Sequence, residues 1–143
     1  MKRKKIVHSH FKKFIGKWNT AGRLLNTKGK EVKIKGTDTY ELILDGFFIL
    51  HKANVFMGKQ RSRTYEIIGM GTDNNFMMQH FNNSGTSGLM TATLKNGIWN
   101  YAGSELRFKG KFSRKGNEFS GVWKQRSRNK WIDFIEIKLS KTQ

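Results

Sequence analysis

No cysteine occurs in this chain, and no proline. The first absence excludes disulfides, a thiolate nucleophile and any thiolate metal site. It also fits a reducing compartment, and a cytoplasmic location is the expectation. The second means that no strand is interrupted by a residue unable to donate to a β-ladder. Acidic residues are scarce, at 10 Asp+Glu against 28 Lys+Arg, for a formal charge of +18. Long apolar runs are missing too. The basic start "MKRKKIVHSHFKKF" is not followed by the apolar stretch of a signal peptide, and nothing reads as a membrane span.

The positive charge raises the question of a nucleic-acid or anionic-surface partner. Charge alone supplies only non-specific attraction. The basic residues are spread along the chain and often alternate with apolar ones, as in "RFKGKF". That is the pattern of solvated strand faces. The best local basic patch, "KQRSRNK" at 124–130, fits a solvated turn.

What the chain does have is glycine, aromatic residues and turn signals. With 143 residues it is the size of one domain, large enough to bury its own core. Short runs of aromatic and β-branched residues are separated by Gly/Asn/Asp/Ser clusters, the all-β signature. One helix is expected over 4–15, where Ile6, Val7, His10, Phe11, Phe14 and Ile15 fall near a 3.6-residue spacing and Gly16 supplies a stop. It should cover one end of the β structure. About ten strand candidates follow over 17–140. Asp45-Gly46 and Asn96-Gly97 are two-residue hairpin signals. Short links make sequential strands antiparallel neighbours. Such a meander best avoids exposed edges by closing on itself. The expected fold is an all-β, single antiparallel up-and-down barrel.

The Asp45-Gly46 turn sets a register that pairs Tyr40 with His51 and Leu42 with Ile49. The apolar face then carries Tyr40, Leu42, Leu44, Phe47, Ile49, His51, Ala53 and Val55, so His51 and Tyr40 face inwards, with Asp38 one step along. Phe48, Leu50 and Phe56 fall outside. Extending the alternation through later turns places Tyr65, Ile67, Gly69, Met78, His80, Met90, Trp99, Tyr101, Phe108, Phe119 and Trp123 inside. A one-residue slip would flip a whole strand.

The segments "FIGKWNTAGRLL", "GTDTYELILDGFFILH", "IIGMGTDNNFMMQHFNNSGTSG" and "FSRKGNEFSGVWKQ" resemble, in that order, a bacterial family known as a domain of unknown function, number 1579 in its series. The Gly-x-Trp opening is similar to that of the calycin group, which includes the lipocalins and fatty-acid-binding proteins. The resemblance implies a calycin-like barrel with an internal cavity and no assigned activity. It also implies that Trp18 packs at the closed end under a basic side chain from near the chain end, Arg128 or Lys138. Fatty-acid-binding proteins insert a helical pair after the first strand, whereas only "NTKGKE" stands here, so their portal lid is absent. The related nitrobindins hold haem through a histidine late in the chain. No histidine follows His80 here, so neither haem nor another cofactor is expected.

The expected ligand-contacting residues are Tyr40, His51, Tyr65, His80, Trp99, Tyr101, Phe108 and Trp123, around a small, mostly apolar molecule. Tyr40 opposite His51 suggests an O–H···N bond that orients a ligand's polar end or serves acid–base chemistry. The structural alternative is a buried pair that satisfies only itself. A metal site needs three or four converging ligands, and the His51, His80 and Asp38 spacing gives no such signature. No strong catalytic motif appears.

Overall fold

The computed structural model describes residues 3–142. Ten antiparallel strands follow one another: β1 (Gly16–Leu24), β2 (Lys33–Ile43), β3 (Phe48–Met57), β4 (Gln60–Met70), β5 (Phe76–Asn82), β6 (Ser87–Lys95), β7 (Ile98–Ala102), β8 (Leu106–Phe112), β9 (Glu118–Ser127) and β10 (Lys130–Lys141). Each pairs with its sequence neighbours, and β1 pairs with β10 to close the barrel. The up-and-down barrel expected from the turn spacing is therefore the observed fold, and no sheet edge is left open. Among the described residues no helix is long and apolar enough to cross a membrane.

The expected N-terminal helix is not an α-helix. Two 3-10 turns, Ile6–His8 and His10–Phe14, stand there instead. Ser9 separates them: its backbone is extended, its hydroxyl accepts the Phe11 N–H and donates to the Ile6 carbonyl. A serine side chain that competes for local backbone groups breaks helical continuity. The turns nonetheless cover one end of the barrel. Ile6, Phe11 and Phe14 are fully buried. Phe14 meets Phe11, Trp99 and Phe112 at ring-centroid distances of 4.7, 5.3 and 4.8 Å. These residues, with Trp18 and Phe76, form a dry floor.

Trp18 is anchored as the Gly-x-Trp opening implies, but by a different partner. Its indole N–H donates to the Phe14 carbonyl at 2.8 Å. The cation over its ring is Lys141, with Nζ 5.1 Å from the centroid. Arg128 sits in the β9–β10 turn, and Lys138 points outwards to Glu118 at 3.0 Å. The register explains the correction, since Lys141 lies directly opposite Trp18.

The first hairpin keeps the expected register, Tyr40 opposite His51 and Leu42 opposite Ile49. Its turn is wider than two residues, with positive φ at Leu44, Asp45 and Gly46. Leu44 and Leu42 lie past the floor and are exposed rather than interior.

Tyr65, Ile67 and Gly69 carry the opposite parity from that expected. Gly58 and Lys59 form a tight turn that sets Met57 opposite Gln60. Glu66 and Ile68 therefore face inwards and are buried, while Tyr65 is 55% exposed outside, with Lys52 over its ring. Parity is regained at β5, where Met78 and His80 face inwards as expected. From there the inward set follows the expectation: Met90, Ala92, Trp99, Tyr101, Phe108, Phe119 and Trp123. In β10 a bulge between Asp133 and Ile135 settles the parity, and Ile135, Ile137 and Leu139 point inside. Outside, β3 to β6 expose Phe48, Phe56, Tyr65, Met77, Phe81 and Leu89.

Deleting the Phe14 ring would leave a cavity among five aromatic neighbours. The Phe14→Ala variant should lose about 3–5 kcal/mol in urea unfolding. Its strand pairing, read from amide NMR, should remain.

Candidate functional site

Midway between the floor and the opposite end, four adjacent strands each contribute one polar side chain: Thr20 from β1, Asp38 from β2, His51 from β3 and Glu66 from β4. His51 lies directly opposite Glu66, whereas Thr20 pairs with Gly36 and Asp38 with Ala53, so Thr20 meets Asp38 and Asp38 meets His51 diagonally, one inward step along. His51 uses both ring nitrogens. Its Nε2 lies 2.6 Å from Asp38 Oδ2 and its Nδ1 2.9 Å from Glu66 Oε1. Thr20 donates its hydroxyl to the other Asp38 oxygen. Thr20, Asp38 and Glu66 are all buried.

Two carboxylates can both accept from one imidazole only if both ring nitrogens carry protons. The energetics agree. Burial pulls the His51 pKa down, but hydrogen bonds to Asp38 and Glu66, reinforced by their charges, more than reverse it, and the value rises from 6.5 to about 9. His51 is therefore an imidazolium at neutral pH.

Tyr40 does not make the expected O–H···N bond. Its ring stacks on the imidazole, with centroids 4.0 Å apart and planes 5° from parallel. The two rings share a face and the same strand-to-strand step, which favours stacking over end-on contact. A cation held flat against an aromatic face is favourable. The Tyr40 hydroxyl pKa is pushed well up by burial, then by Tyr101, Asp38 and Glu66. That of Tyr101 rises through burial and the charges of Glu66 and Asp38. Both phenols are neutral donors beside negative charge.

The cluster is not closed on every side. Among the described residues no sealed side-chain N or O lacks a partner, and the His51 and Glu66 side chains keep 14% and 9% of their surface accessible. On the inner face of a closed ring that surface is turned toward the lumen. The burial gradient along the barrel says the same. At the floor, inward residues such as Trp18, Ile49 and Ile68 are completely buried. Beyond His51, whose side chain is 14% exposed, the inward residues Ala53, Ser62, Thr64, His80, Leu106 and Trp123 are all only half-buried. An inward side chain in a closed barrel can be exposed only to the lumen. The barrel is thus plugged at one end and less tightly sealed toward the other. Ile34, Val55 and Ile135 form a small second cluster on one wall of this mouth. A surface depression of about 390 Å³ lies elsewhere, outside the barrel near Phe47 and Asp73.

The expected contact residues therefore separate. Tyr40, His51 and Tyr101 meet at the cluster. Phe108 and Trp123 stand beside Tyr101, with centroids 4.9 Å apart between Tyr101 and Phe108 and between Phe108 and Trp123. The Phe108 ring lies over the paired Gly110 and Gly121, where an added Cβ would fall 2.6 and 2.5 Å from it. His80 faces inwards nearer the mouth, its ring against Gly88. Trp99 is sealed in the floor, and Tyr65 is outside. The residues missed were Thr20 and Glu66, of which Glu66 is the charged one. Its signal was present: Arg61 and Arg63 alternate with Ser62 and Thr64, which marks the odd positions of β4 as outward. Among the described residues no group of three or more His, Cys, Asp or Glu side chains has metal-holding geometry.

A closed ten-stranded up-and-down barrel with a plugged floor and a polar cluster in its lumen is a calycin-like architecture. The sequence belongs to the family described as "Protein of unknown function (DUF1579)", which it matches over residues 4–141. The structure is similar to the crystal structure of Rv2717c from M. tuberculosis, with a TM-score of 0.71 and 10% identity, covering 92% of this chain and 94% of that one. At that identity the likeness shows the shared fold. No curated protein matches the sequence.

Folding favours protonated His51, because its value in the fold lies above the ordinary 6.5. That contribution is complete below about pH 6.5 and is lost as pH rises through about 9. The imidazole should titrate near 9 in NMR, and urea stability should fall across that window. His51→Gln should cost about 3–5 kcal/mol at pH 7, because it strands two buried carboxylates. Its stability should be much flatter between pH 7 and 9.

Proposed function

We propose that this protein binds a small, mostly apolar molecule in the lumen of its barrel. One observation carries the reading: Tyr40, Tyr101 and Glu66 share the inner face and are each more than nine-tenths buried, yet the His51 and Glu66 side chains keep 14% and 9% of their surface accessible from within the ring. Buried polar groups are normally satisfied within the protein, and a few convergent polar atoms inside an apolar enclosure are the usual composition of a ligand site. Phe108 and Trp123 supply the apolar wall. Tyr101 and Glu66 supply the polar contacts, with Tyr40 behind them. His51 acts here by holding the two carboxylates in place.

Acid–base catalysis by His51 fits less well. Both ring nitrogens are engaged as donors, so at neutral pH neither offers a lone pair to take a proton from a substrate. The outer charge does not direct the reading to nucleic acid either, since the basic side chains are distributed around the strands' outer faces rather than gathered on one.

Native mass spectrometry of the purified protein tests the proposal. A small molecule retained at one equivalent is expected, or, for protein freed of it, uptake of one from an apolar-fragment mixture that quenches Trp123 fluorescence. Thr64→Phe, which fills the mouth without touching the floor, should lower uptake at least tenfold while leaving the urea midpoint close to wild type. Uptake unaffected by that variant would place binding outside the lumen.

A further inference from the structure

The sign of charge reverses between the outside of this barrel and its inside. The chain carries 28 Lys+Arg, yet the registers turn those in the strands either outwards or past the barrel's ends. Two share inward parity. Lys141 lies beneath the floor, over Trp18, and Lys130 stands in the exposed β9–β10 tip beyond the last β8–β9 pair, Leu106 with Gln125. The lumen between floor and mouth holds Asp38, Glu66 and the His51 imidazolium. Two carboxylates and one cation leave a formal charge of −1 there, inside a protein of formal charge +18.

An anionic ligand is disfavoured by this arrangement. It would approach two carboxylates in a low-dielectric site with no lysine or arginine to receive it. The one resident cation has both N–H groups committed to Asp38 and Glu66. A ligand cation meets the reverse situation. Glu66 meets His51 through Oε1, and its side chain, in a residue only 7% exposed, keeps 9% of its surface accessible. Tyr101, 6% exposed, faces the same lumen from β7. The rings of Tyr101 and Trp123, centroids 6.0 Å apart, offer aromatic faces to a cation.

Building on the lumen-binding reading above, we propose that the ligand is a small primary amine, bound as its ammonium ion, with the charged head on Glu66 Oε2 and the Tyr101 ring and its apolar body along Phe108 and Trp123 toward the mouth. The ammonium ion completes the charge balance of the lumen. It also supplies donors to the accessible side of the Glu66 carboxylate, and a charge-assisted hydrogen bond is the strongest such contact available.

Three slim isosteres test this: n-butylamine, 1-butanol and butyrate, each titrated into the full chain at pH 7 and followed by NMR shifts of the His51, Tyr101 and Trp123 rings. Butylammonium is expected to bind at least about tenfold more tightly than butanol, and butyrate to leave the rings unmoved. Glu66→Gln should erase the preference of amine over alcohol. Tyr101→Leu, which keeps the carboxylate, should weaken the amine alone, a second readout should the first variant fold poorly. Butanol binding as tightly as butylamine would overturn the amine assignment and leave the lumen reading intact. Butyrate binding more tightly than butylamine would overturn it as well. Silence of all three at these rings would remove both.

Discussion

The pairing of the first strand with the last is the constraint on which this structure depends. Once β1 and β10 close the ring, every strand has one face that solvent cannot reach from outside. The alternation of side chains then becomes a partition between lumen and exterior. A closed sheet also has no unpaired edge, so the exposed aromatics of β3 to β6 sit on saturated backbone. Closure is reinforced at the base, where Trp18 on β1 takes its cation from Lys141 on β10. The 3-10 turns seal that base with Ile6, Phe11 and Phe14.

Inside the ring, the imidazolium between two carboxylates is an expensive choice. Taking three charged groups out of water is repaid only by close geometry and further hydrogen bonds. Both are present: contacts of 2.6 and 2.9 Å, a hydroxyl from Thr20 and a tyrosine ring stacked on the cation. The cluster spans β1 to β4, so it fixes the register of four strands where a one-residue slip would remove every partner at once. Structural specificity and a partly accessible polar face arise from the same residues.

Much of this was legible in the sequence because alternation is a local property. The first hairpin shows it best. Asp45-Gly46 set the parity of β2 and β3, and that alone put Tyr40, His51 and Asp38 on one inner face. The Gly-x-Trp opening located the base. Failures arose where a turn's length, rather than its composition, decided the outcome. Gly58-Lys59 reverses the chain tightly, so Glu66 took the place expected for Tyr65, and the third member of the cluster went unseen. The Tyr40–His51 contact was legible as adjacency but not as geometry. Whether two rings meet edge-on or face to face depends on the competing acceptors, and one of these was the missed Glu66. The N-terminal segment had the spacing of a helix. The local bonds of Ser9 broke it into two turns without disturbing its task, since the plug needs buried Phe11 and Phe14 more than it needs helical continuity.

The dry floor has a consequence for traffic. A tube open at both ends can admit a solute at one while water leaves by the other. Under the proposed lumen binding, this barrel behaves as a flask with one neck. A ligand bound as proposed would enter and leave by the same end, past the half-buried Thr64, His80 and Leu106. Filling and emptying are then a counter-current through a single passage. Their rates should be governed by the width of that neck and the breathing of its rim, largely independent of how firmly the bottom of the flask is corked.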